Sequence, residues 1–293
     1  MADFETQTGI ERLLFETGAI RVAPDDKPFW YTSGTIGPYY SNTQNLIGGE
    51  AQANELLGII DGWPEGGALS LPGRIARYVQ DAYENNASYR TTAEYIKDCI
   101  IKNADIGNVD VISGGARRDW FFSFIAAHLF DKPHLSIFKD LGMVLSAPDK
   151  SRPDVFVMPG GLSGMRCLHV SDLITEASSY ERAWAPALNI AGTRIHTSLT
   201  ILDRMQGGGG ALASLGIKHL SVARLDSDFF TRALDQGFIN ERQYDRLIKY
   251  IADPHGSMKS FLQEHPDFIE NAISAGGKDA GRARMCLESG IYI

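Results

Sequence analysis

Basic residues are in the minority in this 293-residue chain: 28 Lys and Arg stand against 36 Asp and Glu, for a formal net charge of -8. Gripping a nucleic-acid backbone needs clustered cations, so the balance argues against a polynucleotide as main partner. A small anion needs only a local basic or N–H-rich pocket and is not excluded. Cysteine is scarce as well. Cys99, Cys167 and Cys286 are far apart, odd in number and without CxxC spacing, which argues against a zinc site or a disulfide framework. No apolar run approaches the length of a membrane span. The opening residues carry acids through an amphipathic stretch, where a secretory signal would have a basic start and an apolar core. A soluble protein of the cytoplasm is the expectation.

With 44% hydrophobic residues the chain can bury a substantial core. Ile10, Leu13 and Leu14, with Phe4, fall at helical spacing, and Gly18 is a natural stop. KPFWYTSGTIGPYYSN is rich in aromatics, Gly and Pro and predicts a β-hairpin or irregular hood. A helical region is expected from Leu71 to Asn103, with Ile75, Tyr78, Val79 and Ala82 on one face. From there short apolar runs alternate with helical patterns. VDVISGG, HLSIF, RCLHVSDLI, RIHTSLTILDR and HLSVARLD predict strands. RRDWFFSFIAAHLF, SSYERAWAPALNIAG and GGALASLG predict helices, the second loosened by Pro186 and the third closed by Gly216. Such alternation predicts an α/β fold with a mostly parallel sheet flanked by helices on both faces. Ligands of such sheets sit at the carboxyl ends of the strands. Beyond Asp226 the pattern is helical, with a break at Gly237, an end at Pro254 and a Gly-rich break at Gly276 and Gly277. This gives three regions: helix and hood over 1–70, an α/β core over 71–225, and a helical extension over 226–293.

The stretch RCLHVSDLITEASSYERAW can carry chemistry. An apolar strand runs into Ser171 and Asp172, then a hydroxyl-bearing turn, then a helix. Free N–H groups at a helix start, with Thr and Ser hydroxyls, can cradle a phosphate, and an acid at a strand end can hold sugar hydroxyls. On spacing alone a plain N-cap at Ser178 or Ser179 stays open. His169 and His196 lie inside strands as candidate core residues. His128 and His134 flank a helix-to-strand turn and are expected to face solvent.

This stretch resembles the phosphoribosyl pyrophosphate motif of the type I phosphoribosyltransferases: an apolar strand, two acids, two apolar residues, then Thr-Thr-Gly-x-Ser. Asp172 matches the second acid, Thr175 the first Thr and Ser179 the final Ser. TSG followed by PYYSN resembles the hood of the orotate phosphoribosyltransferases. ILDRMQGGGGALASLGI resembles that family's strand ending in Asp-Arg, and FFTRALDQGFINERQYDRLIKYIADP its C-terminal helices. The chain departs from the pattern in several places. Ser171 replaces the first acid, Glu176 the second Thr and Ala177 the loop Gly. Thr32 stands where the hood usually has Lys. The stretch IFKDLGMVLSAPDKSRPD, matching the mobile catalytic loop, keeps Lys139 but has no His, and Phe138 replaces a basic residue.

The resemblance implies transfer of a phosphoribosyl group from phosphoribosyl pyrophosphate to a nucleobase such as orotate. Asp172 would orient ribose hydroxyls. Thr175, Ser178 and Ser179 would hold the 5′-phosphate. Arg117, Arg118 and Lys139 would screen pyrophosphate, and Tyr40 and Arg204 would meet the base. Mg²⁺ is implied without direct protein ligation, and so is a homodimer. The altered loop keeps a second function open: a non-catalytic nucleotide- or phosphosugar-binding regulator.

Overall fold

A computed structural model describes residues 2–24, 27–62, 67–148 and 152–292, with residues 2–8 described by backbone alone. The Phe4 side chain and residues 149–151 of the Lys139 stretch lie outside this description. The chain opens with α1 (Ala2–Glu16), which Gly18 ends at a positive φ of 68°. Four short strands follow: β1 (Ile20–Val22), β2 (Phe29–Trp30), β3 (Ile36–Gly37) and β4 (Tyr39–Ser41). Next come α2 (Glu50–Asp61), α3 (Leu71–Asn85), α4 (Ala87–Asn103), β5 (Val111–Gly115) and α5 (Trp120–Leu129). The middle of the chain holds β6 (His134–Ile137), β7 (Met143–Ser146), β8 (Val155–Phe156), β9 (Arg166–Ile174) and α6 (Ala185–Ile190). β10 (Arg194–Asp203), α7 (Gly208–Ser214) and β11 (Lys218–Arg224) complete the alternation. Five helices end the chain: α8 (Ser227–Asp235), α9 (Glu241–Ala252), α10 (Pro254–Glu264), α11 (Phe268–Ala275) and α12 (Gly277–Ser289).

The chain divides into two compact units, one of Met1–Ala19 with Thr43–Leu225, the other of Ile20–Asn42 with Asp226–Ile293. The first holds a seven-stranded sheet in the order β11-β10-β9-β5-β6-β7-β8. The five strands from β11 to β6 are parallel, while β7 and β8 join antiparallel at the edge. The sheet is therefore α/β and mostly parallel, as the alternation predicts. Helices cover both faces. A Cβ on Gly114 would collide with Ser123 Oγ of α5, and one on Gly115 with Trp184 Nε1. Adjacent glycines thus point to opposite layers, each pressed too closely for a side chain.

Several expectations need correction. The helical region from Leu71 breaks at Asn86, whose side chain accepts the Tyr89 N–H and so starts a second helix. Ile75 and Val79 are buried, but Tyr78 and Ala82 only half-buried. The segment before Pro186 is a π-helical turn, Tyr180–Trp184, and Pro186 sits in the first turn of α6. Pro254 both follows α9 and opens α10, where its missing N–H costs nothing. Within the stretch matching the mobile catalytic loop, residues 138–142 form a tight turn leading into β7, in which the Phe138 N–H donates to Gly142 O. His134 does not face solvent. It is buried, stacked on Phe124 with ring centroids 3.6 Å apart, and bonded to Ser123 at 2.9 Å and Ser136 at 3.1 Å. His128 is exposed as expected.

The second unit joins the hood to the C-terminal helices. β1 pairs with β4 and β2 with β3, both antiparallel. Trp30 stacks on Phe268 at 5.5 Å, and Tyr39 packs edge-on against Tyr250 at 5.8 Å.

Candidate functional site

The carboxyl edge of the parallel strands gathers most of the residues that the motif singles out. Gly115 of β5 lies opposite Ile137 of β6, and Asp203 of β10 opposite both Ile174 of β9 and Arg224 of β11. The turns that follow these strands open on one edge because parallel strands all end there. After β5 comes Ala116, Arg117, Arg118 and Asp119. After β9 comes Thr175 to Ser179, and after β10 comes Arg204 to Gly207.

Asp172, on β9 near this edge, is half-buried. Its Oδ1 accepts the Leu173 N–H at 2.7 Å and its Oδ2 the Thr43 hydroxyl at 3.2 Å. Burial pushes its pKa up, and the Arg118 cation opposes that shift. Arg118 is half-buried and acts electrostatically on Asp172. Arg117, by contrast, forms an ion pair with Asp61. Its cation is engaged by a carboxylate, so the two arginines differ in what they offer an anion.

Asp119 escaped the sequence reading, where RRDW looks like the start of a helix. It is only 3% exposed. Its Oδ2 accepts the Gly115 N–H and its Oδ1 the Asp172 N–H, both at 2.9 Å. Burial first, then the Asp172 carboxylate, push its pKa well above the usual range. Behind it lies His169, fully buried, with Nδ1 2.8 Å from Ser113 Oγ and Nε2 3.8 Å from Asp119 Oδ2. His169 Nε2 has no hydrogen-bond partner among the described residues. Burial holds its pKa down at about 3, so the ring is neutral. The expectation of a core histidine holds, though only one of its nitrogens is satisfied. The sequence signal available was the polar alternation His169, Ser171 within an apolar strand, which a fully apolar core face would not carry.

The loop after β9 follows from its own chemistry. Ala177 adopts φ 62°, the left-handed region that glycine takes without a Cβ penalty. Its carbonyl accepts the Tyr180 and Glu181 N–H groups, which starts the next helix. The Ala177 methyl belongs to a buried cluster with Ile174, Tyr180 and Leu188. Glu176, Ser178 and Ser179 are exposed, and Thr175 is half-buried. The Ser179 side chain makes no cap bond to the helix it precedes. Ser171, where the motif has its first acid, is buried and bonded to Tyr180 Oη at 2.8 Å. Tyr180 Oη also meets Ser198 Oγ at 2.6 Å. The hydroxyl is thus structural, tying β9 to β10 beneath the loop.

Arg204 is half-buried and its N–H donates to Ile174 O. Its neighbour Asp203 accepts the Met205 N–H and lies 3.8 Å from His219 Nδ1. Lys139 is exposed on the turn after β6, a strand that ends at this same edge. Tyr40 belongs to the second unit, half-buried and edge-on to Phe29 at 5.9 Å. Among the described residues no group of three or more His, Cys, Asp or Glu could hold a metal ion, and no helix is long and apolar enough to cross a membrane.

A comparison with models of protein families gives no match. The orotate phosphoribosyltransferase of Sulfurisphaera tokodaii is 24% identical over 188 residues, covering 64% of this chain and 90% of that protein. Among solved structures, the orotate phosphoribosyltransferase of Francisella tularensis matches with a TM-score of 0.53 and 16% identity, over 82% of this chain and 96% of that one. The UMP synthase of Leishmania donovani matches with a TM-score of 0.54 and 15% identity, over 84% of this chain but only 42% of that longer chain. The sheet order, the strand-end loops and these likenesses define a type I phosphoribosyltransferase fold. The chain thus has the fold of the type I phosphoribosyltransferases, and the relatives it resembles include orotate phosphoribosyltransferases.

Proposed function

We propose that the chain binds phosphoribosyl pyrophosphate at the carboxyl edge of β5, β9 and β10 and transfers its phosphoribosyl group to a nucleobase of the orotate class, with release of pyrophosphate. The observation that carries this reading is the meeting of Arg118, Asp172 and the loop over 175–179 at one strand edge of a type I phosphoribosyltransferase fold. Such a transfer builds positive charge on the ribose and negative charge on the leaving group. Fixed charges in a water-poor site then act more strongly than in solution. Asp172 would orient ribose hydroxyls, and Thr175, Ser178 and Ser179 would take the 5′-phosphate. Arg118, with Arg117 and Lys139, would face the diphosphate, and Arg204 the base. Mg²⁺ would accompany the bound diphosphate, as the family resemblance implies. It would supply positive charge beside the leaving diphosphate. We further propose a homodimer in the cytoplasm, on the resemblance to the family and on the frequency of two-fold oligomers.

Glu176 is the sharpest departure from the motif, and its exposure limits its effect. Two unit charges about 4 Å apart repel by roughly 1 kcal/mol in water, against several kcal/mol at an effective dielectric near 20. The Ala177 methyl packs into the core, and its backbone already has the turn that glycine would supply. Calorimetric titration with phosphoribosyl pyrophosphate and Mg²⁺, followed by a nucleobase panel scored for pyrophosphate release, tests the reading. Glu176→Thr combined with Ala177→Gly should tighten binding roughly fivefold to tenfold. No heat of binding in either protein would refute the site.

A second reading, a non-catalytic binder of nucleotides or phosphosugars, is favoured by one observation. Ser171, in place of an acid, is committed to Tyr180 and cannot serve a ligand. Binding without pyrophosphate release for any base would select it.

A further inference from the structure

Two of the loops at this edge are built on separate strands, and one buried side chain joins them. The Asp119 carboxylate accepts the last N–H of β5, that of Gly115, through one oxygen. Through the other it accepts the N–H of Asp172 on β9. Asp119 is itself the residue after Arg118. A single group therefore sets the spacing between Arg118, the cation of the first loop, and Asp172, the acid of the second. At 3% exposure it is too deep to touch a ligand. Its backbone carbonyl also receives the Phe122 and Ser123 N–H groups, which fixes the start of α5 in the same frame.

His169 completes the arrangement. Nδ1 is paired with Ser113 Oγ and Nε2 faces Asp119 Oδ2 across 3.8 Å; in the tautomer where Ser113 donates to Nδ1, the ring proton sits on Nε2. That is longer than a hydrogen bond by roughly 1 Å. The ring is held between Tyr180 and Trp184, with centroids 5.3 Å and 4.5 Å away. A buried donor without an acceptor is costly, and a small movement of Asp119 toward it would satisfy both.

We propose that Asp119 is the positioning residue of this site, a carboxylate bridge that sets the separation of the two ligand loops, with His169 as the donor that backs it. The inference rests on reading the edge as a phosphoribosyl pyrophosphate site, and goes beyond it by naming the residue on which the site's geometry depends.

Asp119→Asn tests the bridge, because an amide of the same shape offers one acceptor oxygen where two N–H groups need one each. The first measurement needs no ligand. Hydrogen exchange of the Gly115 and Asp172 amides in the full chain should rise at one or both positions in the variant, with the rest of β5 and β9 unchanged. The second is calorimetry with phosphoribosyl pyrophosphate and Mg²⁺, where loss of one of the bridge's two hydrogen bonds should weaken binding roughly tenfold. Should Asp119→Asn fold poorly, His169→Leu and His169→Gln give the same answer more gently. The Gln side chain can still donate to Asp119 and should keep wild-type affinity, while Leu should lose a few-fold. Unchanged exchange at both amides would overturn the bridge, and so would increased exchange with undiminished affinity. A wild-type chain that binds no phosphoribosyl pyrophosphate would sink the proposed function alone; the exchange measurement then decides the bridge by itself.

Discussion

At the scale of single residues, His134 shows how burial converts to pH dependence. Its ring lies between Ser123 and Ser136 against Phe124, and burial lowers its pKa to about 3. An unfolded histidine binds its proton below about pH 6.5, while this one stays neutral down to about 3. Between those values the unfolded state holds more protons, so stability rises with pH and is lost as pH falls through the window. From pH 7 to pH 5 His134 should cost roughly 2 kcal/mol of stability. Asp119 works in the opposite sense, since its raised pKa favours the folded state as pH falls. His134→Gln separates the two: urea denaturation at pH 7 and pH 5 should show a pH-dependent loss smaller by about that amount in the variant. Equal losses in both proteins would mean that His134 titrates normally. None of this burial was legible in the sequence. His134 sits beside a turn, and its two serine partners look like ordinary polar residues until the helix and strand fold over one another. Asp119 was hidden for the same reason, because it bonds Asp172 across 53 positions of sequence.

The elements were far more legible than the residues between them. Strand–helix alternation from β5 to β11 follows from apolar runs whose length and period can be read locally. Asp172 stands out in the sequence because it ends an apolar strand, where such sheets place their ligands, whereas Thr175 and Arg118 stand out only through the family resemblance. Boundaries set by a single side chain were missed. Asn86 divides α3 from α4 through one capping bond, and nothing in the hydrophobic period marks it. The glycines at the start of α7 carry a prediction of this kind. A Cβ on Gly208 would lie 2.5 Å from Ile174 Cγ1 and 2.7 Å from Thr175 O, whereas one on Gly210 meets nothing within 4 Å. Gly208→Ala must push against the backbone of the β9 loop and should destabilise by about 1–3 kcal/mol. Gly210→Ala, exposed and helical, should stabilise by about 0.5–1 kcal/mol. Thermal unfolding of the two variants side by side reads both. If Gly208→Ala unfolds no lower than wild type, the contact between the start of α7 and the β9 loop is looser than described.

At the scale of the whole molecule, strand–helix alternation predicts the α/β class but not the pairing of the hood with the C-terminal helices. The C-terminal stretch carries few motifs and looks like an appendage. In the structure it forms one unit with the hood, from which it is separated by more than half the chain. The bonds that join them are specific. Arg246 donates to Ala23 O and Pro24 O, Arg282 donates to Trp30 O, and Tyr292 Oη receives the Ile36 N–H. Trp30, 5% exposed, stacks on Phe268. Two-residue strands such as β2 and β3 cannot persist on their own pairing, since even full hairpins are marginal in water. Their order must come from α10, α11 and α12. A chain ending at Asp253 keeps α8 and α9, and with them Arg246, Tyr39 and Tyr250, but loses Phe268, Arg282 and Tyr292. Hydrogen exchange should then show β2 and β3 unprotected, β1 and β4 partly protected, and the seven-stranded sheet unchanged. Retained protection at Trp30 and Ile36 in the shortened chain would mean that the hood holds itself, and that the last three helices serve some purpose other than supporting it.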